Sequence, residues 1–410
     1  MKPTRIEGLP PMYPGGNRVG AEEEAAVMEV LRSKRLFRYY GAVEGPSAVE
    51  AFEVDVADML GTSHAVAVAS GTTALTAALA AAGVGPGDQV IVPAYTWVST
   101  PAAVVATGAV PVIAEVDDSL TIDVADAETL VNERTRAIIP VHMRGAAADM
   151  SAVMDMARRH DLLVIEDTAQ AMGGSFDGRR LGTIGDIGCF SLQYNKIITC
   201  GEGGIVISDD PELHARAQMY HDVAASMRAQ AAGTAAIYGI TCRMSELQGA
   251  VAGVQLGRLE DILAACRANR ARIVYQIADV AQSQGVRLRA SNDEAGDTAI
   301  ALILLCPETS EAKALARMLQ EVGIGAEVMF DPDEVDLHVA PHWQPILETR
   351  TWSTSGPWSD QGGEFAYGPE RWSGTTERLS RAVHIDISPD LTSEQVAAIA
   401  DTLEEALAAL

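Results

Sequence analysis

Lys196 stands in GCFSLQYNKIITCGEGGIVIS, where two strand-like apolar pieces flank a turn. A loop lysine is ordinarily a solvated charge. Here Phe190, Ile197 and Ile198 are apolar neighbours, and the turn Gly201 to Gly204 brings the backbone back sharply. An amine held in such a pocket loses its proton more easily and can form an imine with an aldehyde. Ser191, upstream in the same run, could point a hydroxyl at a phosphate. The run LLVIEDTAQAMGG places Glu166 and Asp167 at the end of a buried strand, where one carboxylate must be desolvated. A buried carboxylate is costly without a cationic partner. Asp167 reads either as a helix N-cap or as the partner of a cation such as a protonated pyridine nitrogen.

Two further segments offer contacts of the same kind. VAVASGTTALTAALAAAG reads as a strand, a tight turn through Ser70, Gly71 and Thr72, and a helix. The backbone N–H groups and dipole at that helix start suit a phosphate, although an ordinary capped turn has the same signature. PAYTWVST sets Trp97 just past a strand, where it either stacks on a flat ring or fills the core. Other motifs carry less. GVGPGD lacks the GxGxxG spacing and precedes a strand, so it reads as a turn. His338 and His342 are separated by a stretch containing Pro341, which opposes a shared helix face, and no metal site is expected. HExxH, GxSxG and Walker patterns are missing from the sequence.

Positioning these residues requires a sheet whose strand ends converge. Apolar runs at 65–70, 89–95, 110–116, 137–142, 162–167, 188–192 and 204–208 alternate with Ala-rich helical stretches. Continuously apolar strands alternating with helices predict a mostly parallel sheet covered on both faces. Ligands in such sheets bind beyond the carboxyl ends of the strands. From about 244 to 285 the pattern is helical and predicts a long connection. A second α/β part comes after it, with strands at TAIALILLC and AVHIDI and helices at SEAKALARMLQEVG and SEQVAAIADTLEEALAAL. The division expected is a lead-in over 1–20, a large domain over 21–265 and a smaller one over 266–410. Residues 330–378 form an aperiodic stretch whose four tryptophans argue against plain disorder.

The 410 residues carry 56 Asp plus Glu against 30 Lys plus Arg, a net charge of -26 that opposes nucleic acid or anionic membrane as partners. No apolar run is long enough to span a bilayer, and the first residues lack a signal-peptide core. Five cysteines without a CxxC pair fit reduced thiols in a cytoplasmic protein.

Taken in order, ASGTTAL, PAYTWVST, VHMRGAAADM, VIEDTAQAMGG, GDIGCFSLQYNKIITCGEGGIV and CRMSELQGAVAGVQL resemble the DegT/DnrJ/EryC1/StrS family of sugar aminotransferases over nearly the whole chain. FRYYG, VHMRG and RLSRAVHIDISPDLTSEQV are most similar to the branch that aminates scyllo-inosose-type ketocyclitols or related keto-sugars. The resemblance implies the type I, aspartate-aminotransferase-like fold, pyridoxal 5'-phosphate as cofactor and glutamine or glutamate as amino donor. It also implies a homodimer with shared active sites. Lys196 matches the Schiff-base lysine, Asp167 the partner of the pyridine nitrogen, and Gln170 the residue beside the ring hydroxyl. Trp97 matches the stacking aromatic, and Ser70, Gly71, Thr72 and Ser191 the phosphate cradle. Tyr194 and Arg243 are expected at the substrate, Arg243 in the neighbouring subunit's site. Thr241 stands where the family has an asparagine that reaches the partner's phosphate, and it keeps one shorter donor. With the Ala-rich 221–239 loop, this leaves the acceptor open. A sugar dehydratase on the same fold is the alternative, yet such members often carry histidine at the position of Lys196. A non-catalytic regulatory relative would not need Lys196, Asp167, Gln170 and Ser191 together.

Overall fold

The structure is a computed structural model that describes residues 5–11, 14–39, 45–227, 233–353, 355–361 and 366–410. Every apolar run of the first half becomes a strand: β1 (His64–Val68), β2 (Gln89–Pro93), β3 (Val110–Ala114), β4 (Thr135–Ile138) and β5 (Leu163–Asp167). A short hairpin of β6 (Ser175–Phe176) and β7 (Arg179–Arg180) precedes β8 (Ile187–Ser191) and β9 (Gly204–Ser208). Seven of these form one sheet in the order β1-β9-β8-β5-β4-β2-β3. Pairing is parallel from β3 to β8, and only β9 runs against its neighbours. The strands are almost wholly buried because helices cover both faces, as a parallel sheet requires.

Small residues let those helices approach closely. The helix Gly71–Ala81 is capped by Ser70, whose hydroxyl accepts the Thr73 N–H, and it buries nearly every side chain it has. Gly204 has no room for a side chain, since a Cβ there would come within 2.3 Å of the Ser70 carbonyl oxygen. That close approach fixes the helix start against the first residue of β9.

The helical pattern after 244 forms two helices where the sequence suggests one. Glu246–Leu256 stops and Leu259–Ser283 begins across Gly257 and Arg258. The Arg258 guanidinium is tied there to Glu22, Glu23 and the Arg18 carbonyl, contacts that the local pattern does not contain. The second α/β part is an antiparallel sheet of β10 (Arg287–Leu288), β11 (Ala301–Leu305), β12 (Ala326–Val328) and β13 (Ala382–Asp386), ordered β10-β11-β13-β12. Helices Leu259–Ser283, Thr309–Glu321 and Ser393–Ala408 share one apolar core with it.

The aperiodic 330–378 stretch is packed rather than loose, except that 354 and 362–365 lie outside the described residues. Trp343 and Trp372 are fully buried and Trp358 nearly so, while Trp352 is 83% exposed. The Trp372 indole N–H donates to the Ile113 carbonyl at 3.1 Å and the Tyr367 hydroxyl to the Pro111 carbonyl at 2.7 Å. The stretch therefore seals the β3 edge of the seven-stranded sheet, although its sequence position is among the small sheet's elements. Trp372→Ala is expected to destabilise the protein by roughly 3–5 kcal/mol, while Trp352→Ala stays within about 0.5 kcal/mol. Urea unfolding midpoints of the two variants measure this, and equal shifts would contradict the packing described.

Candidate active site

The carboxyl ends of β1, β2, β4, β5 and β8 converge on a cavity of about 480 Å³. Ser70, Gly71, Thr72, Trp97, Asp167, Gln170, Ser191 and Lys196 all line it, so the sequence-selected residues meet in space. Lys196 arrives from the connection between β8 and β9, where the chain reverses direction.

Adjacent residues of a strand face opposite ways, and this separates the two carboxylates of β5. Glu166 turns away from the cavity into a completely buried site. It accepts N–H groups of Gly182, Ile184 and Gly185 at 2.6–2.8 Å and faces His142 Nε2 at 2.9 Å. The Ala148 N–H reaches the other ring nitrogen of His142, which leaves Nε2 to donate to Glu166. Asp167 faces the cavity. It accepts the Thr100 hydroxyl at 2.8 Å and the Ala169 N–H at 3.1 Å. No regular helix starts at Asp167, so the N-cap reading is set aside. Burial raises the Asp167 carboxyl above the usual aspartate range, against the pull of Thr100, Ala169, Lys196 and His142.

Burial likewise draws the Lys196 ammonium below its usual value, with Asp167 opposing and Arg144 adding to the shift. Ser191 lies directly under Gly71, where a Cβ would sit 2.7 Å from the Ser191 Cβ. A helix start, two serines and a glycine thus form a small cradle suited to a phosphate. Trp97 is 43% exposed and packs against the His338 ring at 4.9 Å, so it is a cavity wall and not core. His338 holds this place because 337–340 pairs with the end of β2, through Thr96 N to His338 O and Ala340 N to Ala94 O. A buried carboxylate met only by neutral donors, a cradle, a flat aromatic wall and a lysine of lowered basicity fit pyridoxal phosphate.

Three expected residues do not line this cavity. The Tyr194 ring lies over Gly16 and is half exposed, outside the lining of its own chain's cavity. Arg243 pairs with Asp222 at 2.6 Å and covers the Phe37 ring, and Thr241 is exposed beside it. Tyr40 and Gly41 of FRYYG, and 228–232 of the Ala-rich loop, lie outside the described residues. Sequence reasoning missed Thr100, Arg144, Glu327, His338 and His384. Thr100 was within reach, being part of PAYTWVST, whereas Glu327 and His384 come from strands of the second sheet.

The model of the DegT/DnrJ/EryC1/StrS aminotransferase family matches residues 17–404. The chain is 36% identical to L-glutamine:2-deoxy-scyllo-inosose aminotransferase of Streptomyces kanamyceticus, over 79% of this chain and 78% of the relative. It is 42% identical to GDP-perosamine synthase of Caulobacter vibrioides, where the match spans 52% of this chain and little more than half, 57%, of the relative. Among solved structures it resembles S. venezuelae DesV in complex with a ketimine intermediate, with TM-score 0.75, 31% identity and 94% of each chain covered. The expected type I fold is therefore borne out.

The two neighbouring carboxylates should respond oppositely to neutralisation. Because the folded-state pKa of Asp167 is raised, the folded chain binds more protons than the unfolded one just above the ordinary aspartate range. Stability falls as pH rises through that window, and the deficit persists above it. Cofactor-free Asp167→Asn is expected to be more stable than the parent at neutral pH and flatter in its pH dependence above about pH 4. Glu166→Gln should cost roughly 3 kcal/mol, since buried donors lose their acceptor. Urea unfolding at two pH values decides both.

Proposed function

The chain belongs to the DegT/DnrJ/EryC1/StrS aminotransferase family, and on that premise we propose that it is a pyridoxal-phosphate-dependent aminotransferase acting on a keto-sugar or ketocyclitol, with glutamine or glutamate as donor. The observation that carries this reading is the meeting of Lys196 and Asp167 in one cavity, the carboxylate being held there by neutral groups only. The activity for which the S. kanamyceticus relative is named supports a cyclitol acceptor and glutamine as donor.

Bound pyridoxal phosphate supplies an aldehyde for the amine and a ring that accepts electrons from the carbon losing its proton. Asp167 holds a proton on the ring nitrogen, and Thr100 and Ala169 fix the carboxylate in that orientation. Gln170 is oriented by accepting the backbone N–H of Arg144 at 3.2 Å and would meet the ring hydroxyl. The Gly71–Ala81 helix start with Ser70 and Ser191 would hold the phosphate, and Trp97 would cover the ring. Lys196 would hold the cofactor through its amine and, when that amine is free, would carry the proton at the substrate carbon; burial lowers its basicity and so raises the share that is unprotonated.

The active form in this reading is a homodimer. Thr241 and Arg243 lie outside their own cavity, beside the exposed Tyr238 and Ile240, where a second subunit could meet them. No helix among the described residues is long and apolar enough to cross a membrane, and the five free cysteines suit a reducing compartment such as the cytoplasm.

The test is to load the protein as its pyridoxamine phosphate form and present keto-sugars, ketocyclitols and simple ketones. The expected product is the amine, identified by mass spectrometry, and an unaminated deoxysugar would overturn the reading in favour of a dehydratase. Borohydride should fix the cofactor to Lys196, and Lys196→Ala should slow transfer by at least about 10²–10⁴-fold.

A further inference from the structure

Opposite the phosphate cradle, the cavity is bounded by groups drawn from both sheets: Arg144 after β4, and His384 on β13. Arg144 belongs to the MRG turn, where it holds left-handed backbone angles of φ 52° and ψ 38°. Such angles are uncommon for a side chain larger than asparagine. The Gln170 side chain accepts the Arg144 N–H and stabilises the turn.

The guanidinium is poorly satisfied for a buried cation. Arg144 is only 9% exposed and brings five N–H donors. Among the described residues, Nε donates to the Tyr95 hydroxyl at 3.3 Å, and Nη2 stands 3.8 Å from Glu327 Oε1, beyond hydrogen-bond range. Glu327 is itself a loose partner, with its side chain 61% exposed and also 3.5 Å from His384 Nδ1. A buried guanidinium normally gains a full, often bidentate, carboxylate contact. Here the remaining donors belong to a side chain that lines the cavity.

We propose that Arg144 anchors the carboxylate of the amino donor, and that Glu327 is the carboxylate it exchanges with when that donor has left. This rests on the aminotransferase reading. In an amino acid the carboxylate is attached to the carbon that carries the reacting amine, so it must sit close to Lys196 and Gln170. Arg144, Gln170 and Lys196 line the same cavity, and the backbone N–H of Arg144 donates to the Gln170 side chain. Lys196 and Arg144 are the only lysine or arginine lining the cavity among the described residues. Lys196 is committed to carbonyl chemistry, which leaves the guanidinium for the carboxylate. Burial keeps His384 neutral, with its pKa lowered to about 4.

The same site must then accept a keto-polyol, which has no carboxylate. Re-pairing Arg144 with Glu327 in that half of the cycle avoids leaving a buried charge unmatched, and the hydroxyls can be met by His338 and His384, which line the cavity. One cavity can thus serve an anionic donor and a neutral acceptor through a single exchange of ion-pair partners.

The experiment uses the full chain loaded with pyridoxal phosphate, and glutarate as an unreactive dicarboxylate probe read by calorimetry. Arg144→Gln should weaken glutarate by at least about tenfold, and raise the glutamine concentration needed in the first half-reaction similarly. Its response to the keto acceptor, followed from the pyridoxamine form, should change by less than about threefold. Glu327→Gln should act in the opposite direction and tighten glutarate, because Arg144 loses its competitor. Unchanged glutarate binding in Arg144→Gln, or equal weakening of both half-reactions, would overturn the assignment. If Arg144→Gln does not fold, Glu327→Gln decides alone, and glutarate binding that is unchanged or weaker there overturns it. Arg144-dependent glutarate binding without amine transfer to any acceptor would sink the proposed function and leave the carboxylate site standing. Amine transfer from glutamine that is indifferent to Arg144→Gln would do the reverse.

Discussion

The active site depends on a carboxylate buried at a strand end, with no lysine or arginine paired to it among the described residues. Asp167 gains only a hydroxyl and a backbone N–H in exchange for its hydration. Glu166, the preceding residue, offsets its burial with three backbone donors and a histidine. The strand's two-residue period forces this contrast, since one carboxylate must face inward if the other faces the cavity. Glu166 clamps the 182–185 turn to β5, and that turn leads directly into β8, which carries Ser191. The more fully bonded carboxylate thereby holds in position the frame from which the less bonded one faces the cavity.

Strand order converts this local frame into a site. Parallel strands β2, β4, β5 and β8 deliver Trp97, Arg144, Asp167 and Ser191 to one edge, and β1 delivers Ser70. The single antiparallel strand, β9, changes the path of the chain after β8, which does not leave through a covering helix but turns back at the cavity mouth. Lys196 lies in that reversal. The contact of Gly204 with the Ser70 carbonyl closes the loop against the helix start. A bulkier residue at that glycine would separate the cradle from the lysine loop, so the phosphate site and the amine are positioned by the same backbone approach.

Much of this was legible in the sequence, for definable reasons. The strands of the large sheet are continuous apolar runs bounded by polar turns, and each lies where its run lies. Lys196, Asp167, Ser191 and Gly71 fall within motifs whose spacing survives intact. The features that escaped reading were tertiary. The interruption at Gly257 and Arg258 depends on Glu22 and Glu23 in the helix Ala21–Ser33, and the burial of Trp372 depends on an open edge at β3. Tyr194 sits in the right loop, yet its ring lies over Gly16, a contact between segments far apart in the chain. Arg144 stands in the VHMRG motif with no role that the motif itself suggests, because its significance lies in how few of its donors are satisfied, which only the folded chain reveals.

A division of labour between the two sheets accounts for this uneven legibility. The residues proposed to hold the cofactor all come from the large sheet's strand ends or the loop between β8 and β9, so they are short-range neighbours of apolar runs and form compact motifs. Arg144 and His384 line the same cavity, with Glu327 of β12 behind them, brought together from points more than 180 residues apart in sequence. Such a wall can change by single substitutions without disturbing the strand ends that carry Ser70, Asp167 and Ser191. The residues of the compact motifs are therefore legible in contiguous sequence, while this surface is assembled only by folding.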